Sequence, residues 1–461
     1  MRILDWKSLD EPARRDALRR PQLLLEPHVQ RVARAVIKRV RSEGDRAVRA
    51  YTRRFDKVWL ESSAVTPAEF TEARGALGRC EIEALEHALS NIECYHEKHI
   101  LKSFAVETQS GVRCEEVVRP ISAVGLYAPG GTAPLPSTVL MLGVPARLAG
   151  CPTRVLCTPP GPGGRAHPAV LTAARLCGID TVFKVGGAQA IAALALGTES
   201  IPRVDKIFGP GNAWVAAAKA LVAQEADGVA CDLTAGPTEV MVVADDSARE
   251  DFVAADLLAQ AEHDVLAQAL LVTDSQALAA GVAEHIEQQR RILSRSAILR
   301  DSLAACRAIV VPDLDSGMEI ANRYAPEHLM LAVREPRRWL AAVHSAGAVF
   351  LGPWAAEAFG DYCSGTNHVL PTYGAARSCS GLSVRDFVRT MSVQELTPKG
   401  LSGLGPTAIA LARLEGLDAH ANAVARRLAC VGEELPGAGA DRKLTASAGL
   451  PARRARNGRA L

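Results

Sequence analysis

The chain has 461 residues, with 53 Lys and Arg against 51 Asp and Glu and a formal net charge of +2. That balance lacks the strongly basic face of a dedicated nucleic-acid binder. Hydrophobic residues make up 48% and aromatics only 4%, so the core has to be built from Ala, Leu and Val, and a chain this long needs no disulfide or metal staple to form one. The longest uncharged stretch, 121–146, contains Pro129, Pro134, Pro136 and Pro145, a density that a membrane-spanning helix does not carry. The first ten residues, MRILDWKSLD, lack the apolar run of a signal peptide. The 11 cysteines include no C-x-x-C pair and read as reduced thiols of a cytoplasmic protein.

In chain order, the first 120 residues read as helical and charge-rich. Val29, Val32, Ala33, Val36 and Val40 recur at helical spacing. Thr66-Pro67-Ala68-Glu69 is a helix entry with a capping residue, an N-terminal proline and a glutamate three residues on. His87, His96 and His99 follow, with no pattern of carboxylates or cysteines that points to a metal. Over 124–229 short apolar runs end in Gly/Pro turns and lead into Ala/Leu-rich helices: AVGLYAPGG, TRVLCTPPG, TVFKVGG and KIFGPGN. This is the texture of a parallel sheet with helices on its faces, in which ligands bind at the carboxyl ends of the strands. A second α/β stretch follows in TEVMVVAD, QALLVTD, RAIVVPD and AVFLG. From about Ser392 the chain reads as helical again, and after Gly432 it becomes poor in apolar residues, the composition of a disordered, solvating tail.

The candidate chemistry lies in four places. Gly186-Gly187-Ala188-Gln189 and Gly209-Pro210-Gly211-Asn212 each sit between a strand and a helix, where backbone N–H groups can hold a pyrophosphate. Each is equally a structural turn by itself, but Tyr127, Gln189 and Asn212 add polar groups at neighbouring strand ends. Gln260 and His263 are three apart on a helix expected over 254–263, and so project from one face. Such a pair serves as readily in helix capping as in metal binding. With Asp361 and His420 it would make an O₂N₂ set suited to Zn²⁺, although spacing alone does not single out these four residues. Glu327-His328 pairs two proton acceptors of different intrinsic basicity, as a two-step oxidation requires. Taken alone, it is also an ordinary exposed dipeptide opening a helix after Pro326.

GLYAPGGTAPLPSTVLMLGVPA, FKVGGAQAIAALALGTESIP, KIFGPGNAWV, LLAQAEH, RYAPEHL, GDYCSGTNHVLPTYG and SGLSVRDF together resemble the L-histidinol dehydrogenase family, in order from about residue 30 to about residue 430. The resemblance implies oxidation of L-histidinol to L-histidine through histidinal, the last step of histidine biosynthesis, with two NAD⁺ and one zinc. Gln260, His263, Asp361 and His420 match the zinc ligands, and Glu327 and His328 the catalytic pair. His368 and Glu415 match substrate-binding positions, to which Thr238 and the zinc and catalytic residues also belong. Tyr127, Gln189 and Asn212 match the dinucleotide contacts. The family's A-G-P-S-E block reads Ala235-Gly236-Pro237-Thr238-Glu239 here, and Thr234 stands where the family tends to carry Pro.

The resemblance also implies an α/β fold of two incomplete Rossmann-like parallel-sheet domains, with N-terminal helices and a C-terminal helical dimerisation segment. The expected division is an N-terminal arm (1–25), a first α/β domain with a helical N-terminal part (26–123 plus 235–380) carrying zinc and the catalytic residues, and a second on the dinucleotide side (124–234). A helical segment (381–432) reaching the partner of a homodimer and a disordered tail (433–461) complete it. His420 and Glu415 would then enter the site from the other subunit. Neither nucleic acid nor membrane is an expected partner. Three alternatives compete: a related zinc and NAD dehydrogenase acting on another polar primary alcohol such as a sulfonated diol, a zinc hydrolase using Glu327 as base, and a protein without catalysis. His368 and Glu415 favour histidinol over the first, the series of βα turns opposes the second, and the full set of matched residues opposes the third.

Overall fold

Short β-branched runs closed by glycine turns become the strands of parallel sheets in the computed structural model, which describes residues 1–21, 27–130, 133–232 and 236–433. The described strands are β1 (Arg2–Asp5), β2 (Phe104–Gln109), β3 (Val112–Pro120), β4 (Ala123–Tyr127), β5 (Thr153–Thr158), β6 (Thr181–Lys184) and β7 (Lys206–Phe208). They continue with β8 (Ala230–Cys231), β9 (Glu239–Ala244), β10 (Gln268–Thr273), β11 (Arg307–Val310), β12 (His328–Ala332), β13 (Ala348–Leu351) and β14 (Val388–Leu396). The chain divides into two compact units, 1–100 with 120–388, and 101–119 with 389–461.

The first unit holds two sheets. One is five-stranded in the order β6-β5-β4-β7-β8, the other six-stranded in the order β1-β11-β10-β9-β12-β13. All their pairings are parallel. Parallel strands need crossovers and are buried on both faces, and the residues alternate accordingly. In β9, Val240 and Val242 join one core layer with Leu257, Leu278 and Ile286, while Met241 and Val243 join the opposite layer with Met318, Ile320 and Tyr324. Each such Val, Leu or Ile contributes about 1.5–3 kcal/mol on burial. Among the described residues no helix is long and apolar enough to cross a membrane.

The N-terminal helices pack differently from the expected grouping of 26–123 with 235–380. The apolar stripe of the helix Pro27–Glu43, with Val29, Val36 and Val40, shares a core with Ile191 and Leu194 of the helix Gly187–Leu196 and Val215 of the helix Ala213–Ala223. The helix Arg79–His96 buries Ile92 with Leu140 and Val144 of the helix Pro136–Leu148. N-terminal helices therefore pack over the crossover helices on both sides of the five-stranded sheet, because those helices leave apolar surface to bury. The expected arm, 1–25, supplies an edge strand instead: β1 pairs with β11. Thr66 forms the capping box anticipated for it, accepting from the Glu69 N–H while the Glu69 carboxylate accepts from the Thr66 N–H.

The second unit contains a three-stranded sheet in the order β14-β3-β2 and two helices, Pro398–Leu414 and Asp418–Ala429, that pack on one another. The helical reading of the first 120 residues misses β2 and β3, and the helix expected from about Ser392 begins only at Pro398. FAVETQ is exposed throughout, VRTMSVQEL at every position but its first, and VRCEEVVRP buries only Val112, so no buried face imposes the alternation by which a strand is read from sequence. The expected tail lies, apart from Glu433, outside the described residues, as does Thr234.

The turn after β7 is held by a buried ion pair. Gly209 has φ +121°, and a side chain there would collide with the Tyr127 carbonyl oxygen. Its N–H donates to Asp232 Oδ2 at 2.7 Å and its carbonyl accepts from Lys219 Nζ at 3.0 Å, while Lys219 and Asp232 pair directly. Both side chains are at most 5% exposed, and burial raises the Asp232 carboxyl above its ordinary range. Lys219→Met leaves that carboxylate buried without its cation and should cost about 3–5 kcal/mol. Adding Asp232→Asn should restore part of the loss. Urea unfolding of the wild type, the single and the double variant measures this, and equal midpoints for wild type and Lys219→Met would contradict it.

Candidate active site

Two strand ends face ligand chemistry in the first unit. In the five-stranded sheet strands are added outward on one side of β4 as far as β6 and then on its other side from β7, which makes the gap between β4 and β7 a topological switch point at whose carboxyl side ligands bind. Tyr127 ends β4, and its hydroxyl accepts from the Gly187 N–H at 3.0 Å. Burial pushes the phenol up to about 12. Gln189, 1% exposed, lies in the first turn of the helix that begins at Gly187, and a side chain on Gly187 would meet its Oε1. Asn212 caps the helix Ala213–Ala223, accepting from the N–H groups of Trp214 and Val215 at 3.1 and 3.2 Å. Two helix N-termini, each a ready anion site, thus border the crevice, and Tyr127 is tied to one of them.

The six-stranded sheet contributes its amino ends instead. β9 and β12 are neighbours with His328 opposite Val240, so Thr238, Glu239, Glu327 and His328 converge where both strands start. Glu327-His328 does not open a helix. It enters a strand after Ala325 in the left-handed conformation (φ 53°), with Glu327 6% and His328 3% exposed. Glu327 Oε2 accepts from the Thr238 hydroxyl at 2.6 Å and from the Glu239 N–H at 2.9 Å. Burial nevertheless raises its carboxyl well above the ordinary range.

His328 Nδ1 lies 3.0 Å from the Glu239 carbonyl and 3.1 Å from Gln260 Oε1. Both are acceptors, so Nδ1 carries the proton and Nε2 keeps the lone pair. No hydrogen-bond partner among the described residues meets Nε2, which points to Asp361 Oδ1 at 3.7 Å. Burial lowers the imidazole below its ordinary range, keeping it neutral and able to accept a proton.

Gln260 is fully buried near the end of the helix Glu250–Ala261, and its amide donates to Thr238 Oγ1 at 2.8 Å. His263 lies beyond that helix, which stops at Ala261 with Glu262 as cap, so the two do not share a helix face as expected. The turn after the cap redirects the chain, and His263 Nε2 comes within 3.8 Å of Asp361 Oδ2. His368 donates from Nδ1 to the Asp361 carbonyl at 2.8 Å and faces the Thr138 hydroxyl with Nε2 at 3.1 Å. Thr238, Gln260, His263, Glu327, His328, Asp361 and His368 therefore form one cluster. Glu415 and His420 are exposed residues of the second unit, at the cap of the helix Pro398–Leu414 and on the helix Asp418–Ala429.

Sequence reasoning missed Glu357. It is 1% exposed, 3.5 Å from His328 Nδ1, and neither carboxyl oxygen has a hydrogen-bond partner among the described residues. Burial, with Asp361 and Glu327 nearby, raises its carboxyl well above the ordinary range. His328, Glu357 and Asp361 offer ligand atoms within 4.8 Å of one another. This set shares only Asp361 with the expected quartet, in which Gln260 contributes an amide. Orphaned buried Glu357 oxygens beside Asp361, whose carboxylate also lies 3.8 Å from His263 Nε2, are what a bound cation satisfies, and mixed N and O donors suit Zn²⁺. The residues present therefore fit a zinc ion.

The histidinol dehydrogenase family model matches residues 19–428. The chain is 55% identical over 428 residues to the histidinol dehydrogenase of Xanthomonas euvesicatoria pv. vesicatoria (strain 85-10), covering 93% of this chain and 99% of that protein. It is 53% identical over 428 residues to that of Xylella fastidiosa (strain Temecula1 / ATCC 700964), covering 93% of this chain and 99% of that protein. The crystal structure of histidinol dehydrogenase from Elizabethkingia anophelis superposes with a TM-score of 0.89 at 42% identity, over 94% of this chain and 99% of that one. With the family model spanning nearly the whole chain and relatives above half identity, the protein belongs to the histidinol dehydrogenase family.

Proposed function

We propose that this chain oxidises L-histidinol to L-histidine through histidinal, with hydride passing to NAD⁺ in each of two steps. The observation that carries the reading is the His328 tautomer: two acceptors hold its Nδ1–H, so Nε2 is left as a free base in the cluster. Nε2 takes the hydroxyl proton as the first hydride leaves. Glu327 takes a proton from the water that adds to the aldehyde, and the second hydride then leaves. Burial raises the Glu327 carboxyl above its ordinary range, which makes its carboxylate a stronger base than an exposed one.

Gln260, His263, Asp361 and His420 are the residues assigned to zinc, which when bound supplies a Lewis acid that orients the substrate's imidazole and amino nitrogens. Thr238 sets the Glu327 carboxylate, His368 and Glu415 are assigned to the substrate's polar groups, and Tyr127, Gln189 and Asn212 to the dinucleotide. The site is read as shared across a homodimer, with His420 and Glu415 entering from the partner. Supporting this, Leu411, Leu414 and Leu417, on and between the C-terminal helices, are 56%, 83% and 41% exposed, apolar surface of the kind that a subunit contact covers. Eleven free cysteines are in keeping with a reducing, cytoplasmic compartment.

Purified protein with L-histidinol and NAD⁺ should form two NADH per histidinol consumed. A ratio of one would mean that the aldehyde is released, and no NADH would reject the reading. Glu327→Gln should slow histidinal oxidation more than histidinol oxidation, since only the aldehyde step consumes water. His328→Asn should slow alcohol oxidation by about 10²–10⁴-fold, the usual contribution of a general base. Equal slowing of both substrates by Glu327→Gln would remove the water-activating role.

Thr238→Val deletes the donor to Glu327 and the acceptor for Gln260. At about 1.5–3 kcal/mol for a hydrogen bond to a charged group, kcat/KM for histidinal should fall roughly 10- to 100-fold. Thr238→Ser keeps the hydroxyl and should stay close to wild type. Similar rates for the Val variant and the wild type would show that the hydroxyl is dispensable.

His263→Asn and His420→Asn should each reduce zinc content in elemental analysis. Mixing the two inactive proteins should restore part of the activity, because one site of the mixed dimer then has both residues intact. No recovery after verified subunit exchange would place the whole site within one chain.

A further inference from the structure

We infer that Arg20 is a positioning residue for Glu327 and His328, acting through Glu239. The inference rests on the reading of those two residues as the catalytic pair. Arg20 Nε and Nη2 donate to the two carboxyl oxygens of Glu239 at 2.5 and 2.8 Å, a bidentate pair. Nη2 also donates to the Tyr324 carbonyl at 2.8 Å, and the guanidinium lies 3.7 Å from the centre of the Tyr324 ring. The Tyr373 N–H donates a third hydrogen bond to Glu239 Oε1 at 3.1 Å. The Arg20 side chain is 15% exposed and that of Glu239 wholly buried.

The same residue touches both members of the pair through its backbone. The Glu239 N–H holds Glu327 Oε2 at 2.9 Å, and the Glu239 carbonyl receives the His328 Nδ1–H at 3.0 Å. Glu239 is the first residue of β9, where the sheet ladder begins and constrains the peptide on one side only. Its side chain supplies the missing constraint. Three donors from two distant segments, the N-terminal Arg20 and the Tyr373 loop, fix the carboxylate, and with it the two peptide groups that aim the carboxylate and the imidazole. A guanidinium fork matches a carboxylate in two bonds at once, and a lysine ammonium does not.

The test compares Arg20→Ala, Arg20→Lys and Glu239→Gln with wild type as dimeric, zinc-loaded enzyme, measuring kcat and KM for histidinol, histidinal and NAD⁺, zinc content and melting temperature. Both Arg20 variants should lose about 10- to 100-fold in kcat, the scale of a small misplacement of reacting groups. KM and zinc content should be unchanged, which marks a loss confined to the chemical steps. Millimolar guanidinium should restore part of kcat in Arg20→Ala and none in Glu239→Gln. Full kcat in both Arg20 variants overturns the inference, and so does a loss that tracks zinc or folding without guanidinium rescue. Glu327→Gln and His328→Asn, assayed alongside, separate the two readings. If they keep full activity, the catalytic pair is misassigned, whereas if only they lose it, Arg20 has no positioning role.

Discussion

Three carboxyl groups, Glu327, Glu357 and Asp361, lie buried 3.7, 3.5 and 3.7 Å from the His328 imidazole, which Glu239 meets through its backbone carbonyl, and carboxyl groups are tolerated away from water only when donors, cations or protons answer them. Each is answered differently. Glu239 receives a guanidinium and a backbone N–H, and Glu327 a hydroxyl and a backbone N–H. Glu357 has no hydrogen-bond donor among the described residues. Carboxyl oxygens left without donors beside His328 are what a divalent cation, or a substrate bearing an amine and an imidazole, would meet, which supports the assigned chemistry.

The two parallel sheets divide the labour by which strand ends they offer. The five-stranded sheet uses carboxyl ends, where glycine turns and helix N-termini suit a dinucleotide's phosphates. The six-stranded sheet uses the amino ends of β9 and β12, which lack such turns but bring side chains of adjacent strands into register. Thr138, at the start of the helix that follows β4, reaches His368, which ties the five-stranded sheet's first helix to the cluster. The clamp of Lys219 and Asp232 on Gly209 resembles that of Arg20 on Glu239: in each, a buried ion pair holds one backbone residue at a strand end.

The sequence by itself determined the alternation of strand and helix from 124 onward, because short apolar runs closed by glycine are a local property of the chain. It also determined the family, since long blocks such as GDYCSGTNHVLPTYG and FKVGGAQAIAALALG survive without reference to packing. Through them Glu327, His328 and the other matched positions were legible as residue types. The antiparallel hairpin of β2 and β3 was not, because it buries no alternating apolar face, and neither was the packing of the N-terminal helices against the helices of the five-stranded sheet, because an apolar stripe does not name its partner surface.

Only the tertiary structure decided which groups meet. Gln260 and His263 are close in sequence but are separated by a helix end, and a turn rather than a helix face brings His263 to Asp361. Glu357, Glu239 and Arg20 carry no local mark, since an acidic or basic side chain looks the same in sequence whether it is solvated or buried. Their places in the cluster arise from removal from water and from contacts between residues far apart in the chain, 219 positions for Arg20 to Glu239 and 89 for Thr238 to Glu327. Hydrogen-bond partners, the imidazole tautomer and the direction of each shifted acidity depend on dielectric surroundings and atomic distances, and these exist only once the sheets have closed around the site.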